Sequence, residues 1–307
     1  MKKLIIALAA AVAAVGIYLI VRSGGPQKAV KTNTPPAIGI RVVAAENFYG
    51  DIARQLAGGA ATVKSLISNP NIDPHEYEST VQDGIAVAKA DIVIENGLAY
   101  DTWMDKLLSA SPNPDRIVIT AGKIAPEPLP GNPHVWYGIE NIEAVSRAIA
   151  SALEKKDPAG GEAFRGNLAR FNGSLAPIRA KIDEIRSRYA GTPVGLTETV
   201  YLYQTRSMGL RVLTPLAFER AIAEGNEPAA ADVAAANDQI VRKAIRILIY
   251  NRQTVTPITA NLLAAAKARG IPEVPVTETM PAGKTYQSWM IGELNAIEKA
   301  LAAASGH

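Results

Sequence analysis

The chain has 307 residues, 48% of them hydrophobic, with 32 basic and 29 acidic side chains and no cysteine. That composition excludes a disordered chain, and it is long enough for two domains with cores of their own. It also excludes disulfides, thiolate metal ligands and cysteine nucleophiles, and no lipid anchor on cysteine is expected.

Lys2 and Lys3 precede an uncharged, apolar run from Leu4 to Val21 that Arg22 closes, the pattern of an export segment. Its 18 residues exceed the ~7–15 of a cleavable signal and approach the ~17–25 of a bilayer span. Residues 1–25 therefore fit either a signal peptide or a retained N-terminal membrane anchor. Lys2, Lys3 and Arg22 are the only charges in that stretch, so the rest of the chain carries equal numbers of basic and acidic residues. Such a body offers no basic field for nucleic acid. Residues 26–39 are rich in Pro, Gly and polar side chains without a period, and read as a flexible linker.

From residue 40 the chain alternates. Strand-like runs stand at Arg41–Ala45, Thr62–Ile67, Asp91–Ile94 and Arg116–Thr120, with helical patterns between them, such as Phe48–Leu56 and Ser79–Ala90. A second set covers Pro193–Thr197, Arg246–Tyr250 and Glu273–Thr277, and ends in a helix over about 285–303. Strands alternating with helices predict parallel sheets covered on both faces. Between the sets, Phe164, Leu168, Phe171, Leu175, Ile178, Ile182 and Ile185 recur at helical spacing and form one apolar stripe. The expected helix is roughly 40 Å long at 1.5 Å per residue, with Pro177 kinking it or removing a hydrogen bond. The fold expected is α/β: an N-terminal lobe over 40–158, one long rigid backbone helix over 159–190, a C-terminal lobe over 191–304, and a cleft between the lobes. A stripe of this kind also suits a coiled-coil oligomer, but beside two α/β sets a monomer is the expectation.

Histidine occurs three times: His75, His134 and the terminal His307. The first two each follow a proline in a loop after a strand-like run, in Asp73-Pro74-His75-Glu76 and Asn132-Pro133-His134-Val135-Trp136. Proline holds the preceding residue extended, strand-end loops are where open α/β sheets bind ligands, and imidazole is a common metal ligand. Two unrelated surface histidines would show the same pattern. The sequence contains no His-Glu-x-x-His helix, phosphate-binding glycine loop, dinucleotide fingerprint or Gly-x-Ser-x-Gly elbow.

Several runs, in order, resemble the zinc/manganese-type (cluster A-I) solute-binding proteins of ABC metal importers. They are Val43-Ala44-Ala45-Glu46-Asn47-Phe48-Tyr49-Gly50, Asp73-Pro74-His75-Glu76-Tyr77-Glu78, Ala90-Asp91-Ile92-Val93-Ile94-Glu95-Asn96-Gly97, Asn132-Pro133-His134-Val135-Trp136, Thr197-Glu198-Thr199-Val200-Tyr201, Tyr250-Asn251-Arg252-Gln253-Thr254 and Val276-Thr277-Glu278-Thr279-Met280-Pro281. The similarity spans residues 40–304. It implies four metal ligands in the cleft: His75 and His134 from the first lobe, Glu198 and Glu278 from the second. Two neutral imidazoles and two carboxylates would neutralise a divalent ion. The implied cargo is Zn²⁺ or Mn²⁺, with Fe²⁺ compatible, since nitrogen and oxygen donors suit all three. The segment 121–133 has no histidine, unlike the His-rich loop of many zinc members, and Glu278 is one methylene longer than the family's frequent Asp. The implied partners are an ABC permease and its ATPase. The implied location is the periplasm or the outer face of the cytoplasmic membrane, and the implied role is binding without catalysis. A cell-envelope metalloenzyme or a metal-binding adhesin of the same fold is the alternative. Asn47, Tyr77 and Trp136 flank the expected ligands and are candidates to orient them. The stiff linking helix predicts little lobe movement.

Overall fold

The computed structural model describes residues 39–305; the export segment expected at 1–25, the linker except for Gly39, and His307 lie outside the described residues. In the first block, β1 (Ile40–Glu46), α1 (Asn47–Ala57), β2 (Ala61–Ile67), α2 (Val81–Lys89), β3 (Ile92–Glu95), α3 (Thr102–Ala110), β4 (Ile117–Thr120) and the short α4 (Ala121–Ile124) lead into α5 (Ile139–Lys156). Two helices follow, α6 (Gly161–Ser174) and α7 (Ala176–Tyr189). The second block runs β5 (Pro193–Leu196), α8 (Leu202–Ser207), β6 (Arg211–Val212), α9 (Leu216–Ala223), α10 (Ala230–Val241), β7 (Leu248–Asn251), α11 (Pro257–Ala268), β8 (Glu273–Val276) and α12 (Tyr286–Ser305).

Both sheets are parallel and share one topology, β2-β1-β3-β4 and β6-β5-β7-β8. Val42 lies opposite Val63 on one side and Ile92 on the other; Leu248 lies opposite Gly195 and Glu273. Central strands covered on both faces need apolar residues at nearly every position. Accordingly β3 is wholly buried and β1 exposes only Arg41. Edge strand β2 instead alternates half-buried Ala61, Val63 and Ser65 with exposed Thr62 and Lys64. The two-residue β6 was not anticipated, because two positions carry no period.

Local signals set the helix ends. Thr80 and Asp83 form a reciprocal capping box on α2, and Thr256 and Thr259 form one on α11 with Pro257 in its first turn. The chain leaves α1 through Gly58 at φ 58°, a left-handed position that glycine adopts without penalty.

The expected long linking helix is present over Gly161–Tyr189, interrupted at the single residue Leu175, where Pro177 costs it a hydrogen bond. Pro177 has no N–H for the Gly173 carbonyl, and its ring would press on it. The helix ends at Ser174, Leu175 N–H turns to Asn172 O at 3.2 Å, and Pro177 falls in the first turn of α7, where no donor is needed. The apolar stripe survives the break: Phe164, Phe171, Leu175, Ile178, Ile182 and Ile185 are buried, with Leu168 packed against them. The chain's own helices cover the stripe, α5 on α6 and α12 on α7.

One hydrophobic core runs through both blocks, flanked by a smaller cluster in each. Aromatic rings join the lobes: Phe48 lies 5.8 Å from Trp289, and Tyr137 lies 5.1 Å from Tyr201. Such ring pairs add to the burial that holds the lobes together. Among the described residues, no helix is long and apolar enough to cross a membrane.

Candidate metal centre

All four expected ligands follow the carboxyl ends of strands: His75 after β2, His134 after β4, Glu198 after β5 and Glu278 after β8. The structure brings three of them together. Ligand atoms of His75, His134 and Glu278 lie within 4.8 Å of one another. Glu278 Oε2 is 3.8 Å from His75 Nε2 and 3.9 Å from His134 Nε2. Donors about 2.1 Å from a common ion stand roughly 3.4 Å apart in a tetrahedron, so a small contraction suffices for all three to reach one ion.

His134 is wholly buried and oriented. Asn132 Oδ1 accepts both the His134 backbone N–H, at 2.9 Å, and the ring Nδ1, at 2.7 Å. The amide cannot be turned round, because its Nδ2 donates to Thr199 O at 2.8 Å. The ring hydrogen is therefore assigned to Nδ1, and Nε2 keeps its lone pair. Nε2 has no hydrogen-bond partner. Burial, with the nearby His75 charge, holds this imidazole well below its usual range, so it stays neutral and fit to bind a metal.

His75 sits in a single 3₁₀ turn, Pro74–Glu76, whose capping residue Asp73 accepts the His75 N–H at 2.9 Å. The Trp103 indole donates to Pro74 O at 3.3 Å, and the Tyr100 ring meets His75 edge-on at 4.7 Å. The His75 side chain keeps 27% of its surface exposed, against 0% for His134. His75 is thus the face of the trio that solvent reaches.

Glu278 is held at three points. Tyr100 OH donates to Oε2 at 3.0 Å, Asn251 Nδ2 donates to Oε1 at 2.6 Å, and the Glu278 N–H donates to Gln253 Oε1 at 2.6 Å. Tyr100 is aimed by an unusual turn: Gly97, Leu98 and Ala99 all have left-handed φ, at 73°, 56° and 62°. The two non-glycine residues there cost about 1–2 kcal/mol each. Asp101 fixes the turn by accepting the N–H groups of Asn96 and Gly97, at 2.6 and 2.7 Å.

Glu198 is not in the trio. It is buried in extended backbone before a 3₁₀ turn, and neither carboxylate oxygen has a hydrogen-bond partner. Burial pushes its carboxyl up to about 8; the Asn251 amide pulls part of this back, and Asp73 and Glu219 add to it. Burial also pushes Glu278 well up, with the Glu198 charge second, so the two acids sense each other.

Of the expected orienting residues, Trp136 packs edge-on against His134 at 5.1 Å. Asn47 instead ties the lobes, exchanging hydrogen bonds with the Met280 backbone at 2.7 and 3.0 Å. Tyr77 turns away, its hydroxyl donating to Asp83 Oδ2 at 2.8 Å. Sequence reasoning passed over Asn132, Tyr100, Asn251 and Gln253. Asn132 could have been found two residues before a histidine, and Asn251 and Gln253 lie in a run already singled out. Tyr100 carries no local signal.

The sequence matches, over residues 42–300, the family described as zinc-uptake complex component A, periplasmic (ZnuA). Among curated relatives, the iron-binding protein YfeA of Yersinia pestis is 28% identical over 180 residues, covering 56% of this chain and 57% of that protein. The manganese ABC transporter substrate-binding lipoprotein PsaA of Streptococcus pneumoniae is 28% identical over 158 residues, covering 47% of this chain and 51% of that protein. The chain thus spans about half the length of these relatives. In fold it is similar to the periplasmic zinc binding protein TroA of Treponema pallidum, with a TM-score of 0.71 at 22% identity over 86% of this chain and 99% of that one. It is equally similar to FpvC of Pseudomonas aeruginosa in complex with Mn²⁺, with a TM-score of 0.72 at 21% identity over 86% and 99%. These structural likenesses are likenesses of fold: two lobes with parallel sheets flanked by helices. With the match covering most of its length, the chain belongs to the family of the periplasmic zinc-uptake complex component A.

Proposed function

We propose that this chain is the substrate-binding protein of an ABC importer, which captures a divalent transition metal, Zn²⁺ or Mn²⁺, outside the inner membrane and delivers it to a permease powered by an ATPase. The observation that carries the reading is the convergence of His75 Nε2, His134 Nε2 and a Glu278 oxygen in the cleft. Glu198 is the fourth ligand in this reading: its buried, unpartnered oxygens lie beside Glu278 and need a cation to offset their desolvation. A closed set of protein ligands suits carriage better than turnover, which needs an open coordination position. Relatives are described with iron, manganese, zinc and nickel, and the donor set here discriminates weakly among such ions. The same kinship and the apolar segment at residues 4–21 support a location in the periplasm or at the outer face of the cytoplasmic membrane.

The test is thermal unfolding of metal-stripped protein titrated with Zn²⁺ and with Mn²⁺. An ion that binds only the folded form stabilises it by about 2.7 kcal/mol at a hundred times its dissociation constant. We expect a clear rise in Tm with at least one ion and none in the His75→Ala variant. No shift with either ion overturns the reading.

A further inference from the structure

Between the end of β7 at Asn251 and the start of α11 at Pro257, the chain crosses the mouth of the cleft and presents Gln253. The backbone there is fixed locally: Asn251 Oδ1 accepts the Gln253 N–H at 2.9 Å, and Asn251 Nδ2 donates to Thr254 Oγ1 at 3.0 Å. A side-chain amide offers two acceptor positions and two donor hydrogens. Gln253 uses all of them. Its Oε1 accepts the backbone N–H of Glu278 at 2.6 Å and that of Thr279 at 3.2 Å. Its Nε2 donates to Thr279 Oγ1 at 2.9 Å and, in the other lobe, to Ile72 O at 3.0 Å. The two backbone N–H groups settle which end of the amide is oxygen. Thr279 carries the contact further, because its hydroxyl donates to Pro70 O at 3.1 Å.

One side chain therefore grips the backbone of Glu278 and reaches, directly and through Thr279, the chain just before His75. The turn that carries His75 has supports of another kind as well: its cap Asp73 and the Trp103 indole, which donates to Pro74 O at 3.3 Å. Those two belong to the same lobe as His75 and can stay made when the turn shifts. The bonds to Ile72 O and Pro70 O come from the lobe of Glu278 and must break before His75 can move away from it. His75 is also the way out. Its side chain is 27% exposed, whereas those of His134 and Glu278 are 0% and 1% exposed, so an ion held by the three leaves past His75.

We infer that Gln253 is a positioning residue that latches the His75 turn to Glu278 and so sets how fast a bound ion is released. The inference rests on the metal-binding reading and adds to it the step that governs release. Bonds that exist only in the assembled site oppose its opening and act on dissociation, whereas capture begins with the turn already free. A net hydrogen bond corresponds to roughly threefold to tenfold in such an equilibrium.

The experiment is stopped-flow release of Zn²⁺ from the loaded full chain into excess chelating dye, with the capture rate measured separately and the Co²⁺ absorption spectrum recorded for each variant. Gln253→Met keeps the length of the side chain and removes all four bonds. It should release Zn²⁺ at least about tenfold faster, with capture changed by less than about twofold. Thr279→Val should release it about threefold faster, and Thr279→Ser, which keeps the hydroxyl, should restore the parent rate. The Co²⁺ spectrum should be the same throughout, because the ligands themselves are untouched; a purely structural role would change it. Should Gln253→Met fail to fold, the Thr279→Val and Thr279→Ser pair decides. Release at the parent rate from Gln253→Met and Thr279→Val, or faster release accompanied by an altered Co²⁺ spectrum, overturns the latch while leaving the metal site standing. A parent protein that binds neither ion overturns the metal-binding reading itself, and the latch with it.

Discussion

His75 and His134 stand in nearly the same local sequence, each behind a proline in a loop after a strand, yet the molecule treats them differently. His134 has no exposed surface, and one neighbour, Asn132, sets its ring tautomer while also bonding the backbone beside Glu198. His75 keeps a quarter of its side chain in contact with solvent, on a single turn whose cap is its own neighbour Asp73. Links across the cleft steady that turn from the other lobe: Gln253 Nε2 donates to Ile72 O at 3.0 Å, and Thr279 Oγ1 donates to Pro70 O at 3.1 Å. In the proposed binding reaction, one imidazole is fixed before the ion arrives and the other is held by bonds that can be remade. A static half of the site gives geometry, and an accessible half gives entry.

Truncation breaks this comparison most sharply. Both His134→Ala and His75→Ala should abolish the metal-dependent rise in Tm. Only His134→Ala should also lower the Tm of the metal-free protein, by the equivalent of about 3 kcal/mol, because it hollows a packed aromatic site. Calorimetric melting of both variants without metal checks this, and equal metal-free stability would show that burial of the His134 ring contributes little.

Removing the supports sharpens the contrast at smaller amplitude. Asn132→Ala frees the His134 ring to take the wrong tautomer and should weaken metal binding by roughly tenfold to a hundredfold. Asp73→Ala removes only a turn cap, worth about 1 kcal/mol, and should cost a few-fold. Competition against a chelating dye ranks the two; a larger loss for Asp73→Ala would reverse the assignment of the fixed and mobile halves.

The smallest effect is a pH dependence of the His75 loop. Tyr77, just past the turn, bonds to Asp83. Burial pushes the Asp83 carboxyl up, but the hydrogen bonds from Thr80, Tyr77 and Lys64 outweigh it and hold the group below the usual carboxylate range. A depressed folded pKa means that this contribution is fully present above the unfolded value of about 3.9 and is lost as pH falls through the folded value. Amide protection around Tyr77, taken relative to the intrinsic exchange rate at each pH, should therefore fall below about pH 4 in the parent protein. In Asp83→Asn the protection should already be low at neutral pH and lack that step.

Much of this molecule is legible in the one-dimensional pattern. Near-continuous apolar runs such as Ile92–Ile94 mark strands buried on both faces, the stripe from Phe164 to Ile185 marks a core-facing helix, and Pro177 marks where it breaks. These are short-range consequences of backbone geometry and burial, so local order suffices to read them. The two prolyl-histidine loops were visible in the same way. Glu198 and Glu278 were not distinguishable from a helix-start charge and a loop acid until resemblance singled them out. The partners of Glu278 lie 178 residues away at Tyr100 and 27 away at Asn251, separations that no local pattern spans. Equally hidden was the unequal burial of the two histidines. The sequence by itself determined the strands, helices and donor types, because those follow from neighbours along the chain. Only the tertiary structure decided which donors converge, which are fixed and which remain unpartnered, because desolvation and hydrogen-bond geometry are set by groups brought together from distant parts of the chain.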